Sequence, residues 1–284
     1  MKTGCTMKTG CVIFSNSEKY YDLHQCAVNS FKTFHPDINL YSFDYKTNFI
    51  DEIPHFKYIS ELAPGIQKYC ISYEIAEKEN LDKLIILGSD TITCARLDEF
   101  IDGTEDILAT LDYPYQLCTV VQDDNQLIEI RSPDSETHVN ADVVCFNNME
   151  ALKTIIIASY KHHTYFEQGG LNEVLWHDKY NFSSKIVDYP YNESPFVYNV
   201  RSKGNIAAET AEKPWAQYTT KFYIKDNKLY TGDNKNIKVF HYCDGFFNQN
   251  DESTRNLINW WKEIGFNEVT KKFFVEQCNC DFFR

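Results

Sequence analysis

Several features that would assign this chain to a membrane or secreted class are missing from its sequence. It has no run of about 18 apolar residues, the length that a membrane-spanning helix needs, and no recognisable signal peptide. Its ten cysteines include no Cys-x-x-Cys pair and no zinc-type cluster with histidines. Cys278 and Cys280 alone are spaced to grip a metal or form a strained redox pair. We therefore expect no membrane span and a reducing, cytoplasmic compartment.

The chain also lacks an excess of positive charge. Its 284 residues include 41 acidic and 28 basic side chains, which gives a net charge of −13. A basic surface is what sequence-independent binding to nucleic acid or to an anionic membrane requires, so both are disfavoured. A polyphosphate ligand would need a metal ion or a few placed lysines and arginines to reverse the local charge.

The first third of the sequence alternates between strand and helix patterns. Apolar spacing predicts strands at residues 11–14, 38–43 and 84–87, and helices at 22–34 and 66–80. Strands that alternate with helices in this way are typical of a parallel, Rossmann-like sheet. No linker rich in proline, glycine or serine follows, so we predict one mixed α/β domain with a helical C-terminal extension.

The later elements are shorter and less regular. We predict a mobile, polar loop at 201–217 and a hairpin that turns at Asp226-Asn227. The remaining predicted elements are strands at 107–111, 117–121, 143–146 and 237–240, and helices at 149–160, from Gly170 onward, and at 253–264.

The stretch KLIILGSDTITCARLDEF, residues 83–100, carries a buried strand directly into Gly88-Ser89-Asp90. A carboxylate at the end of such a strand is where α/β enzymes often hold a metal and phosphates. Enzymes of this kind often have two aspartates, written D-x-D, and here Gly88 occupies the first position. The alternative is a turn or helix cap formed by Asp90.

Four further stretches, in a fixed order with this one, carry a resemblance to a known family. They are VIFSNSEKYYDLHQCAVNSF, VNADVVCFNN, EQGGLN and VFHYCDGF. Together they resemble the retaining GT-A glycosyltransferases that include glycogenin and the bacterial lipopolysaccharide galactosyltransferases (family 8). The resemblance covers roughly residues 11–247. It implies a GT-A fold, a mixed sheet flanked by helices, over residues 1–247, with residues 248–284 as a helical extension packed on it.

The resemblance implies a divalent metal, Mn²⁺ or Mg²⁺, held by Asp90 and His241. Oxygen ligands suit such hard cations, and the donor diphosphate would supply more of them. A core histidine is the alternative for His241, which would follow the strand 237–240. With Gly88 in place of the first aspartate, we expect a weaker metal site that fills mainly with donor, or a catalytically impaired homologue.

Nucleotide contacts are implied for Phe14, Ser15 and Ser89, and for Tyr20, which would stack on the base. Packing of the Tyr20 ring on the sheet is the alternative. Lys68, at the start of the helix that leads to the metal strand, would stabilise the departing diphosphate. A solvated helix lysine is the default interpretation of Lys68.

Sugar contacts are implied for Asp112 and Asn140. Glu167 and Gln168 match the Asp-Gln pair that the family places near the anomeric carbon, where a carboxylate or amide oxygen stabilises positive charge. Helix capping ahead of Gly170 is the alternative for both. The family usually has glycine where Asp142 stands, and an added carboxylate there would reshape the sugar pocket.

The implied activity is metal-assisted, retaining transfer of a hexose from a nucleotide-diphosphate sugar, UDP-linked by resemblance. The acceptor would be a glycan, lipid or protein, and an oligomer is compatible with the sequence. The alternative is a sugar-nucleotide-binding homologue with impaired turnover. A phosphatase of the haloacid dehalogenase type would need a nucleophilic aspartate where Gly88 stands.

Overall fold

The structure is a computed structural model that describes most of the chain. The described residues are 7–53, 55–111, 119–123, 126–130, 139–162, 166–177, 179–187, 191, 223–231, 234–241 and 268–281. They divide into two units. Unit 1 comprises the described residues of Met1–Glu18, Asp37–Gly88 and Asp98–Asp188, and unit 2 those of Lys19–Pro36, Ser89–Leu97 and Tyr189–Arg284.

Unit 1 is built on a six-stranded mixed sheet in the order β2-β1-β3-β8-β5-β9. Strands β2, β1 and β3 are mutually parallel, as the alternating strand and helix pattern predicts, whereas β8 runs antiparallel to β3 and β5. A separate hairpin joins β6 and β7. The strands are β1 (Thr9–Phe14), β2 (Asn39–Phe43), β3 (Lys83–Gly88), β5 (Ile107–Leu111), β6 (Thr119–Asp123), β7 (Gln126–Ile130), β8 (Val139–Phe146) and β9 (Ser184–Val187).

The helices of unit 1 contribute an apolar core with the sheet. The β3 run KLIILG is buried at every position, which explains why its apolar residues are continuous rather than alternating. Tyr69 of α4, Phe146 of β8 and Leu152 of α6 are buried in the same apolar cluster. The helices are α2 (Phe49–Glu52), α3 (Phe56–Ile59), α4 (Pro64–Glu79), α5 (Asp98–Asp102), α6 (Met149–Ser159) and α7 (Phe166–Trp176).

Unit 2 has its own apolar cluster around two small antiparallel sheets. Strand β4 (Thr91–Thr93) pairs with β12 (Val239–His241), and β10 (Tyr223–Lys225) pairs with β11 (Lys228–Tyr230). Helix α1 (Tyr21–Phe34) and helix α8 (Glu268–Gln277) belong to the same unit. The cluster contains Leu23, Cys26, Ile92, Cys94, Leu229, Ile237, Phe240, Phe273, Phe274, Cys278 and Cys280.

Two boundary predictions need correction. Helix α7 begins at Phe166, not at Gly170, so Glu167 and Gln168 lie in its first turn rather than ahead of it. His241 is the last residue of β12 and does not follow the strand. The predicted turn at Asp226-Asn227 is confirmed, with φ angles of 51° and 55° that suit a tight hairpin.

Other predictions remain untested by the described residues. The loop at 201–217 and the helix at 253–264 lie outside them. The boundary between residues 247 and 248 also stays a prediction. Among the helices that the structure describes, none is long and apolar enough to cross a membrane.

Candidate active site

The candidate site of unit 1 lies where the parallel strands β1 and β3 end. Phe14, the last residue of β1, pairs with Gly88, the last residue of β3. Ser15 follows β1 and donates its backbone N–H to the carbonyl of Phe43 at 2.9 Å. Because β8 is antiparallel to β3, its first residues lie at this same edge. Ligands of open α/β sheets bind outside the carboxyl ends of the parallel strands, so this is the edge at which a donor is expected.

The start of β8 is irregular at this edge. The pairing with β5 shifts between Ala109 and Thr110, so that Thr110 is opposite Asn140 although Ala109 is opposite Val144. The Asn140 side chain is buried, and its Oδ1 accepts the backbone N–H of Asp142 at 2.8 Å. This bulge turns the segment around Asp142 out of the regular ladder.

Two side chains of α7 hold the same part of β8. Gln168 Oε1 accepts the backbone N–H of Ala141 at 3.2 Å. Asn172 accepts from the backbone N–H of Val139 and donates to its carbonyl, both at 3.0 Å. Gln168 therefore has an anchoring contact in addition to the sugar contact that the family resemblance implies for it.

Lys68 lies inside the first turns of α4 and is buried, with only 6% of its side chain exposed. Its Nζ contacts the carboxylate of Asp142 and lies 3.9 Å from Oε1 of Glu167. The default interpretation of Lys68 as a solvated helix lysine is therefore wrong. A buried amine beside two carboxylates forms a compact charged group at the edge of the sheet.

Glu167 is the more enclosed of these two carboxylates, with 16% of its side chain exposed. Burial raises the pKa of its carboxyl group above 4.5, the nearby Lys68 amine opposes this rise, and the Asp142 charge adds to it. A carboxylate in such surroundings is poorly solvated, and an adjacent positive charge would therefore stabilise it strongly.

The position of one carboxylate differs from the pattern of the family that the sequence resembles. The family has aspartate at position 88 and usually glycine at position 142, whereas this chain has Gly88 and Asp142. Leu87 of β3 pairs with Val143 of β8, so Gly88 and Asp142 are the next residues along the two neighbouring strands. The edge thus has a carboxylate on β8, whereas the family resemblance would place one on β3.

The candidate metal ligands of unit 2 are brought together by a small sheet. Asp90 lies in the turn before β4, and β12 pairs with β4 so that His241 is opposite Thr91. His241 Nε2 is buried and lies 3.4 Å from Oδ1 of Asp90. Adjacent ligands of one octahedral cation, each about 2.1 Å from it, lie about 3 Å apart. A carboxylate oxygen and an imidazole nitrogen at this separation fit a divalent metal such as Mn²⁺ or Mg²⁺.

The other residues that were predicted to bind the sugar-nucleotide donor have less distinctive surroundings. The Phe14 ring is buried in an edge contact with Phe49, with ring centroids 5.8 Å apart. Tyr20 is half-buried in a short 3₁₀ helix, and the Nζ of Lys19 lies 4.9 Å from its ring centroid. Ser89 is partly exposed in the turn before β4. Asp112 lies outside the described residues.

One glycine at this edge was not singled out from the sequence. Gly65 follows Pro64 at the start of α4, a pairing that ordinarily indicates only a turn. In the structure it lies directly against the carboxylate of Glu167. No local sequence signal marks this contact, because it joins two helices about 100 residues apart.

Solved structures similar to this chain include glycosyltransferases. No protein-family model and no curated protein matches it. It is similar to the solved structure of WbbM, a bifunctional glycosyltransferase, with a TM-score of 0.53 and 11% identity over 96% of this chain and 52% of WbbM. Matches also include the glycosyltransferase GlyE of Streptococcus pneumoniae TIGR4 (TM-score 0.48, 16% identity, 97% of this chain and 63% of GlyE) and the galactosyltransferase LgtC with donor and acceptor sugar analogues (0.47, 12%, 93% and 99%).

These comparisons bear on the fold. The similarity to WbbM, together with the mixed six-stranded sheet flanked by helices, confirms the predicted GT-A fold. The chain spans about half the length of WbbM and less than two thirds of GlyE.

Proposed function

We propose that this protein is a glycosyltransferase that moves a hexose from a nucleotide-diphosphate sugar, UDP-linked, to a glycan, lipid or protein acceptor. The observation that carries the proposal is the contact between His241 and Asp90, the residue two positions after the end of β3, in a chain with the GT-A fold. A carboxylate and an imidazole 3.4 Å apart are what a phosphate-bridging cation needs from the protein.

The metal ligands in this proposal are Asp90 and His241. A carboxylate oxygen and an imidazole nitrogen from one small sheet leave the remaining positions of an octahedral cation to the donor diphosphate and to water. The metal, Mn²⁺ or Mg²⁺, would neutralise the diphosphate of the donor.

The remaining roles follow from charge and position in the chain. Lys68 is a fixed, buried cation that would stabilise the departing diphosphate. Glu167 would face the positive charge that develops at the anomeric carbon, in a retaining reaction by resemblance. Asn140 and Gln168 would hydrogen-bond the sugar, and Asp112 is assigned with them. The nucleotide would contact Ser15, Ser89, the backbone of Phe14 and the ring of Tyr20, on which its base would stack.

A second candidate keeps the donor site and lacks the turnover. Gly88 favours it, because the family uses both aspartates of D-x-D at the metal. In that case the protein would be a sugar-nucleotide-binding homologue of the same fold. Metal-dependent hydrolysis of the donor without an acceptor separates this candidate from an active transferase.

Calorimetric titration of UDP and UDP-sugars, first with Mn²⁺ and then with EDTA, tests the proposal. Binding should depend on manganese in the wild type, disappear in Asp90→Ala and weaken in His241→Ala. Asp102→Ala removes an exposed carboxylate of α5 and is the matched control, with unchanged binding expected. Equal binding in EDTA would contradict the proposed metal site. Absence of binding to any nucleotide would contradict the proposed donor.

A further inference from the structure

The carboxylate of Glu167 occupies space that only a glycine at position 65 leaves open. A Cβ atom placed on Gly65 would lie 1.8 Å from Oε2 and 2.0 Å from both Cδ and Oε1 of Glu167. These separations are far below any van der Waals contact. Glu167 could therefore not keep its position if residue 65 carried a side chain.

The backbone does not require glycine at this position. Gly65 is the second residue of the 16-residue helix α4, and its φ angle is not in the left-handed region. Alanine is a better helix former than glycine at ordinary helical positions. Gly65 is thus a weaker helix former than alanine would be at this position. What glycine provides here is the space for the carboxylate of Glu167.

Gly65 and Lys68 act on Glu167 from the same side. They are three residues apart in α4, so they lie on one face of the helix. The first turn of a helix carries partial positive charge, which favours a nearby carboxylate, and Lys68 Nζ adds a full charge 3.9 Å away. Contact with Gly65 therefore holds the carboxylate of Glu167 close to two sources of positive charge, the first turn of α4 and the amine of Lys68.

The length of Glu167 matches this space. The three atoms nearest to a Cβ on Gly65 are those of the Glu167 carboxyl group, at the end of the side chain. Aspartate is shorter by one methylene, so its carboxylate would be withdrawn from Gly65. We infer that Gly65 is a positioning residue that fixes the carboxylate of Glu167 for the transfer step, an inference that depends on the proposed function.

A double-mutant cycle with Gly65→Ala and Glu167→Asp tests the inference. The assay is manganese-dependent hydrolysis of UDP-sugars, with kcat and KM measured separately. Gly65→Ala should lower kcat by about 10- to 100-fold, the effect expected of a misplaced reacting group, with KM within about twofold. Glu167→Asp shortens the side chain and relieves the collision. The double variant should therefore be no less active than Glu167→Asp alone.

Two controls distinguish an effect on the position of the Glu167 carboxylate from an effect on the folding of the protein. Pro64→Ala changes an exposed side chain in the same turn of α4 and should leave kcat unchanged. Gly65→Ala should unfold at a temperature no lower than the wild type, because the displaced group is the end of a flexible side chain. Additive losses in the double variant, or an unchanged kcat in Gly65→Ala, would overturn the inference.

Crystal structures of the wild type and Gly65→Ala provide a readout that does not depend on activity. We expect the carboxylate of Glu167 to be displaced in the variant while the backbone of α4 keeps its position. If the wild type hydrolyses no donor but this displacement is found, the proposed function fails and the contact between the two residues is upheld. A carboxylate that stays in place in Gly65→Ala contradicts the inference whatever the activity.

Discussion

The buried carboxylate of Glu173 should make the protein sensitive to acid. Its side chain is fully buried in α7, and Oε2 accepts a hydrogen bond from His162 Nε2 at 3.0 Å. Oε1 accepts from Lys179 Nζ at 2.7 Å and from the Tyr180 hydroxyl at 2.8 Å. Burial alone would raise the pKa of Glu173, but these hydrogen bonds outweigh it and lower the pKa from 4.5 to about 2.

The lowered pKa of Glu173 corresponds to a contribution to the free energy of unfolding. A difference of this size, at about 1.4 kcal/mol per pKa unit, corresponds to about 3 kcal/mol of stabilisation at neutral pH. The folded-state pKa is below the unfolded one, so this stabilisation is complete above about pH 5. It is then lost as the pH falls towards about 2. In Glu173→Gln we expect a loss of about 3 kcal/mol at pH 7 and a much smaller difference from the wild type near pH 2.

Urea unfolding at a series of pH values measures this difference. Subtracting the curve of Glu173→Gln from that of the wild type removes the contributions of the other carboxyl groups. Glu150→Gln, in which an exposed glutamate of α6 loses its charge, is the control and should follow the wild type at every pH. A stability difference between Glu173→Gln and the wild type that stays constant from pH 7 to pH 2 would show that ionisation of Glu173 does not stabilise the fold.

Three further substitutions should destabilise the fold, each measurable by thermal or urea unfolding. Lys83→Met removes a buried amine that donates to three carbonyls at the end of α5, with an expected cost of about 2–3 kcal/mol; no loss would contradict this role. Gly170→Ala would place a Cβ atom 2.3 Å from Oγ of Ser159 and should cost about 1–3 kcal/mol, whereas a gain would contradict the close packing of α6 and α7. Phe274→Ala should cost about 3–5 kcal/mol, and an unchanged midpoint would show that the cluster of unit 2 does not depend on α8.

Much of the sheet of unit 1 was predictable because its signals are local. A continuous apolar run such as residues 84–87 indicates a strand buried on both faces, and the structure confirms it as β3. The start of α7 was mispredicted because the pair Gly169-Gly170 ordinarily indicates a helix boundary. In the structure Gly170 lets α7 approach α6, since a Cβ on Gly170 would collide with Ser159 and with the carbonyl of Ile155.

The site was predictable in its residue types and not in its contacts. Asp90 and His241 were assigned through the family resemblance, and pairing of β4 with β12 brings them together. The burial of Lys68 and its contacts with Asp142 and Glu167 depend on how α4, α7 and β8 pack, which one sequence does not specify.

The contacts among the cysteines of unit 2 were also not predictable from the sequence. No zinc-type spacing connects them in the sequence, yet four of them are buried in one apolar cluster. Cys278 and Cys280, near the end of the chain, meet Cys26 of α1 and Cys94 beside β4, and Cys280 Sγ lies 3.7 Å from the carbonyl of Cys26. None of the cysteines among the described residues forms a disulfide bond. Such long-range assembly has no local sequence signature.

The proposed transfer reaction is tested most directly by the release of UDP from UDP-hexoses, measured with Mn²⁺ and with EDTA. Wild type and Glu167→Gln should be compared at equal occupancy of the donor. We expect manganese-dependent release of UDP by the wild type, with kcat strongly reduced and donor binding retained in Glu167→Gln. Donor binding without any release by the wild type would contradict the proposed transferase and favour the homologue with impaired turnover.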